Sequence, residues 1–152
     1  MGAEALMRWR HPEQGWVSPG YFIPMAESLG LIRELGKFQF DAVFRWLNDS
    51  RCELPDHFRI ALNLSPTQLQ DIDFVQWLLS KLRQSSFPME NVELEITETA
   101  LLADTEETRA NVKALADLGV CITLDDFGTG QSSLSLLKRF PRFTFTPPPK
   151  GM

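Results

Sequence analysis

The chain has 152 residues, 43% of them hydrophobic and 23% charged, which are the proportions of one ordinary soluble domain. A net charge of −5 and a pI near 5.0 leave no basic footprint for duplex nucleic acid, although one local arginine or a bound cation can still receive a phosphate. No apolar run approaches the roughly 18 residues of a membrane span, and the N-terminus lacks the basic-then-apolar order of a signal peptide. Cys52 and Cys121 make no CxxC pair and are expected as reduced, buried thiols of a cytoplasmic protein.

Alternation of apolar and polar residues predicts a first strand over Ala3–Trp9. Helical spacing follows over Leu31–Leu47, with Leu31, Leu35, Phe38, Val43 and Leu47 as its apolar positions. A second strand is expected over Arg59–Ser65, then a helix over Asp73–Leu82 built on Phe74, Trp77, Leu78 and Leu82. A third strand spans Val92–Glu98. The next helix runs from Thr105 to Leu118, with Asp104 as its N-cap, Glu106 and Glu107 in its first turn and Gly119 as its stop. A fourth strand covers Val120–Asp126 and a helix covers Ser132–Phe140. Strand and helix alternate throughout, which argues for βα units and a parallel sheet. Residues 141–152, PRFTFTPPPKGM, break the pattern. Three consecutive prolines exclude an interior strand or helix, so the stretch is expected as an extended tail outside a domain of residues 1–140.

Each strand has one apolar face and one face of small or polar residues. Ala61, Asn63 and Ser65 oppose Ile60, Leu62 and Leu64. Glu93, Glu95 and Thr97 oppose Val92, Leu94 and Ile96. Cys121, Thr123 and Asp125 oppose Val120, Ile122 and Leu124. In a closed parallel barrel the second face points inward, with its chemistry at the C-terminal strand ends. Asn63, Glu95, Asp125 and Asp126 fall there together with Glu4, at intervals of about 30 residues between the later strands. Four carboxylates and an amide, with no His or Cys, form an all-oxygen set whose mutual repulsion a hard cation such as Mg²⁺, Mn²⁺ or Ca²⁺ removes. The pair Asp125-Asp126 could reach two ions, the arrangement used to hydrolyse phosphodiesters. A plain turn at Asp125-Asp126, a solvent-facing Glu93 and a surface ion-pair role for Arg8 are the rival readings of those residues.

These residues also resemble a known family. Glu4-Ala5-Leu6 followed by Met7-Arg8-Trp9 is similar to the signature of EAL domains. Asn63-Leu64-Ser65-Pro66, Glu95-Ile96-Thr97-Glu98 and Asp125-Asp126-Phe127-Gly128-Thr129-Gly130 resemble that family's next three motifs in order, and Phe22-Ile23-Pro24-Met25-Ala26-Glu27 resembles its following helix. The resemblance covers roughly residues 1–140 and implies an α/β fold, an incomplete TIM-like (β/α) barrel of about four βα units with parallel strands. It implies hydrolysis of cyclic di-GMP to linear pGpG with Mg²⁺ or Mn²⁺, with Ca²⁺ as an inhibitory occupant. Glu4, Asn63, Glu95 and Asp125 would ligate the first metal, and Asp126 would hold the second metal and the attacking water. Arg8 and Leu6 would contact the substrate. Glu98 would brace the loop in which Gly128, Thr129 and Gly130 allow a sharp turn.

The family's later catalytic Lys and second-metal Glu have no match here, its first strand is absent, and Gln131 stands in place of an aromatic. The expectation is therefore a domain part that turns cyclic di-GMP over weakly or not at all. A non-catalytic cyclic di-GMP-binding module and a non-functional fragment of a larger signalling protein are the alternatives. Open barrel edges are further expected to promote self-association.

Overall fold

Every second residue of the long strands is buried, and these residues found the core. Strand β4 (Arg59–Leu64) buries Ile60, Leu62 and Leu64, and β5 (Val92–Thr97) buries Val92, Leu94 and Ile96. Strand β6 (Cys121–Asp125) buries Ile122 and Leu124 and also, on its other face, Thr123. Full burial of one such side chain stabilises the fold by about 1.5–3 kcal/mol. The computed structural model describes residues 1–97, Ala100, 105–125 and 144–145, with Asp125 and the last pair described by backbone alone.

The five-stranded sheet runs β1-β4-β5-β6-β7, where β1 is Gly2–Ala5 and β7 is Thr144–Phe145, and every neighbouring pair is parallel. Parallel neighbours need crossovers. Helices α1 (Pro19–Ser28) and α2 (Ile32–Asp49) lie between β1 and β4 in the chain. Helices α3 (Pro66–Gln70) and α4 (Ile72–Gln84) precede β5, and α5 (Glu106–Asp117) precedes β6. Phe40, Phe44 and Leu47 of α2, Phe74, Leu78 and Leu82 of α4, and Val112 and Leu115 of α5 join the apolar strand residues in one core. The opposite face of the sheet carries the polar set. This is the α/β architecture of a TIM-like barrel, open along β1 among the described residues.

Several local expectations need correction. The first strand ends at Ala5 rather than continuing to Trp9. Trp9–His11 instead forms β2, antiparallel to β3 (Gly15–Val17) in a separate hairpin. Its turn is built by Gly15 at φ 73 and by His11 Nδ1, which accepts from the backbone N–H groups of Glu13 and Gln14. The buried face of α2 is Ile32, Gly36, Phe40, Phe44 and Leu47, whereas Leu31 and Phe38 are exposed. Gly36 misleads the apolar spacing because it has no side chain, yet it lies where α2 comes closest to the core. The N-cap of α5 is Thr105, whose side chain accepts from Thr108 N at 3.1 Å, rather than Asp104. Residues Thr144–Phe145, expected in a strandless tail, pair with Thr123 and Leu124 as an edge strand, the one sheet position that tolerates nearby prolines. Cys52 is exposed and Cys121 half-buried, rather than both buried. The expected helix over Ser132–Phe140 lies outside the described residues. No helix among the described residues is long and apolar enough to cross a membrane.

Candidate active site

Strand register decides which polar residues meet. Glu4 stands opposite Ala61, and Ala61 opposite Glu93. One step toward the C-terminal strand ends, Asn63 pairs with Glu95, and Glu95 with Thr123. One further step on, Thr97 pairs with Asp125. Glu4, Asn63, Glu95 and Asp125 therefore form a staggered line across four adjacent strands on one face, as the alternation predicts.

Two of these side chains touch. Asn63 Nδ2 donates to Glu4 Oε1 at 3.1 Å, and both residues are exposed. With its amide nitrogen engaged by Glu4, Asn63 keeps its carbonyl oxygen as an acceptor. Gln39 of α2 donates through Nε2 to the Ala5 carbonyl at 3.1 Å, which ties the end of β1 to the helix behind it.

Beside this line lies a cleft of about 290 Å³, whose walls include Leu6, Arg8, Glu27, Asn63, Glu95 and Thr97. Arg8 is exposed, and among the described residues its one hydrogen bond runs from Nη1 to the Met7 carbonyl at 3.2 Å. Most of its five donors thus remain for a ligand. Glu27, Gln39 and Thr97 are parts of the site that pattern reasoning did not assign. Glu27 belongs to the Phe22–Glu27 stretch singled out in the sequence, and its carboxylate accepts from Thr67 Oγ1 at 3.3 Å.

Apart from Arg8, the polar side chains at the cleft carry oxygen donors, the donor type that hard cations take. Glu4, Glu27, Glu95 and Asn63 supply oxygens around or beside the cleft, and Arg8 is its one cationic side chain among the described residues. No three His, Cys, Asp or Glu side chains gather as a metal-holding group among the described residues. Of the expected set, the structure brings together Glu4, Asn63 and Glu95, and it places Asp125 in register by its backbone. The Asp125 side chain, Asp126, Glu98, Gly128, Thr129 and Gly130 lie outside what is described.

The loop and helix below the cleft are firmly capped. Ser65 starts α3 with a reciprocal capping box: its hydroxyl accepts from Gln68 N, and its own N–H donates to Gln68 Oε1. Gln68 Nε2 also donates to the Ile32 carbonyl at 3.1 Å. Asp71 caps α4 through the N–H groups of Asp73 and Phe74, and it receives two bonds from Arg33, Nε at 2.6 Å and Nη2 at 2.9 Å. Burial pushes the Asp71 carboxyl up. The Arg33 bonds and charge and the two backbone amides outweigh that and hold it below the usual Asp value.

A family model described as EAL domain matches residues 1–143. The chain is 37% identical over 145 residues to the bifunctional diguanylate cyclase/cyclic di-GMP phosphodiesterase MucR of Pseudomonas aeruginosa, covering 93% of this chain and 21% of that protein. It is 44% identical over 140 residues to the uncharacterized protein sll1895 of Synechocystis, covering 92% of this chain and 20% of the relative. Among solved structures, the MucR phosphodiesterase in complex with c-di-GMP superposes with a TM-score of 0.79 at 36% identity, over 95% of this chain and 58% of that one. The chain thus spans about a fifth of these curated relatives and somewhat over half of the MucR structure. The ordered motifs, the parallel sheet that carries them and the match over residues 1–143 lead to one assignment: the chain belongs to the EAL domain family.

Proposed function

We propose that the cleft binds cyclic di-GMP and, within a complete domain, hydrolyses it to linear pGpG. One observation carries the reading: Asn63 and Glu4 are joined at 3.1 Å on adjacent strands, next to Glu95 in register and beside a cleft walled by Arg8. A similar protein, MucR, carries the name cyclic di-GMP phosphodiesterase, and its structure is a c-di-GMP complex.

Glu4, Asn63, Glu95 and Asp125 are the residues that would hold Mg²⁺ or Mn²⁺, and Asp126 would join them at a second ion. Such ions, when bound, polarise the phosphate and lower the pKa of a bound water. The chain's own groups do the positioning. Asn63 fixes the Glu4 carboxylate through its amide nitrogen. Arg8 offers a planar guanidinium to a non-bridging phosphate oxygen, a match of charge and fork geometry. Leu6, half exposed at the mouth of the cleft, offers apolar contact to a base or ribose. By the family resemblance, Glu98, Gly128, Thr129 and Gly130 would support the segment that follows Asp125. We place the protein in the cytoplasm, which suits two cysteines that form no disulfide.

These 152 residues hold no counterpart to the family's later Lys and second-metal Glu. Groups that act as a unit lose orders of magnitude in rate when one is removed, so the isolated polypeptide turns over slowly at most. The test is calorimetric titration of the chain with cyclic di-GMP in Ca²⁺, followed by a product assay in Mg²⁺ or Mn²⁺. Binding with little pGpG is the expected result. Absence of binding would overturn the reading, and rapid turnover abolished by Glu4→Ala would overturn the assignment of weak activity.

A further inference from the structure

The β2–β3 hairpin carries a second cleft, of about 420 Å³, lined by Arg8, Trp16, Val17, Ser18 and Pro19. That volume lies within the range of small-molecule sites. Arg8 and Pro19 also line the 290 Å³ cleft, so the two spaces share a wall. Trp16 is 70% exposed, more than Trp9 at 36% or Trp46 at 46%. The hairpin's own backbone pairing of Arg10 with Trp16 does not require an indole at that position. The Arg10 guanidinium lies over the Trp16 ring, 5.9 Å from its centroid, and steadies its orientation while most of the ring remains in water.

An indole plate with one arginine over its ring and a second lining the same cleft matches the chemistry of a purine nucleotide. The base stacks on the ring, guanine N7 and O6 accept from a guanidinium, and a phosphate takes the second arginine. We propose that Trp16 is the stacking platform for one guanine of the cyclic dinucleotide, with Arg8 in the shared wall receiving the phosphate that leads from that base toward the Glu4–Asn63–Glu95 line. The inference rests on the cyclic di-GMP reading above and adds a residue that holds the base.

The test compares the wild-type chain with Trp16→Ala and Trp16→Phe, each titrated with cyclic di-GMP in Ca²⁺ by calorimetry and by tryptophan fluorescence. Loss of aromatic stacking in Trp16→Ala should weaken binding about 5- to 150-fold. Trp16→Phe should bind within about 3-fold of wild type yet lose the fluorescence quench, because a phenyl ring still stacks but does not report. Wild-type affinity in Trp16→Ala, or a quench that persists in Trp16→Phe, would overturn the role of Trp16 while leaving cyclic di-GMP binding intact. Failure of the wild-type chain to bind would instead overturn both readings. If Trp16→Ala does not fold, the Trp16→Phe quench decides alone.

Discussion

Asn63 donates through Nδ2 to Glu4 Oε1 at 3.1 Å across 59 residues of chain, and this bond gives both side chains a defined orientation at the cleft. A carboxylate held by a neighbour presents its oxygens at lower entropic cost than a free one, and such outer contacts commonly change metal affinity by 10–100-fold. Asn63→Leu is therefore expected to weaken Mn²⁺ binding by at least about 10-fold, read by calorimetry. Because Asn63 is exposed, the melting temperature should stay near that of wild type. Unchanged Mn²⁺ affinity would remove Asn63 from the site.

Asp71 combines a helix cap with a two-pronged ion pair. Its loss in Asp71→Ala should lower unfolding free energy by about 1–2 kcal/mol, most of it from the cap, because the Arg33 side chain is 42% exposed and its pairing is screened. Asp71→Asn keeps an acceptor for the cap and should lose less. The folded carboxyl titrates below its unfolded value, so its contribution is complete above the ordinary Asp range and fades as pH falls through the folded value. Urea midpoints should therefore drop below about pH 4, and the part due to this residue should be missing in Asp71→Asn.

Gly36 sits in the buried face of α2, and a Cβ there would meet the Gln68 amide and lie 2.8 Å from Phe74 Cε2. Ala is the better helix former by about 1 kcal/mol on an exposed face. At this position overpacking should win, since Phe74 is fully buried and Gln68 is fixed by its bonds to Ile32 and Ser65. Gly36→Ala should destabilise by about 1–3 kcal/mol in chemical denaturation. A stabilised variant would show that α2 moves freely over α3 and α4.

Strand β1, which carries Glu4, stands at a sheet edge among the described residues. Unpaired strand edges recruit other strands. Light scattering on the purified 152-residue chain should show concentration-dependent association. A monodisperse monomer with one sharp melt would contradict that expectation.

Much of the fold was legible in the sequence. Alternation in Arg59–Leu64, Val92–Thr97 and Cys121–Asp125 gave strand positions and the correct inner face, because parallel strands packed on one side leave a clean period of two. The buried stripe of α2 was not legible: Leu31 and Phe38 look like core residues, but they face outward, while Gly36 faces in. The hairpin was missed because Trp9 was read as the end of the first strand and no element was assigned to Arg10 through Val17. The cap at Ser65 was legible as Ser-Pro-Thr-Gln and went unread. Glu4, Asn63 and Glu95 were visible as a set because they recur at the same face and strand end. Glu27 and Gln39 were not, because helices deliver them and no strand period marks them.

The strand that carries Glu4 also has the most distant partner in the sheet. Gly2 pairs with Arg59, whereas Ile60 pairs with Val92, Glu93 with Cys121 and Thr123 with Thr144. Closing the longest loop costs the most chain entropy, and an edge strand has one neighbour to hold it. In hydrogen exchange, β1 amides should open before those of β4 and β5. Half of the Asn63–Glu4 contact thus lies on an edge strand whose partner is the most distant in sequence, so the contact exists only in molecules that have closed this longest-range pairing.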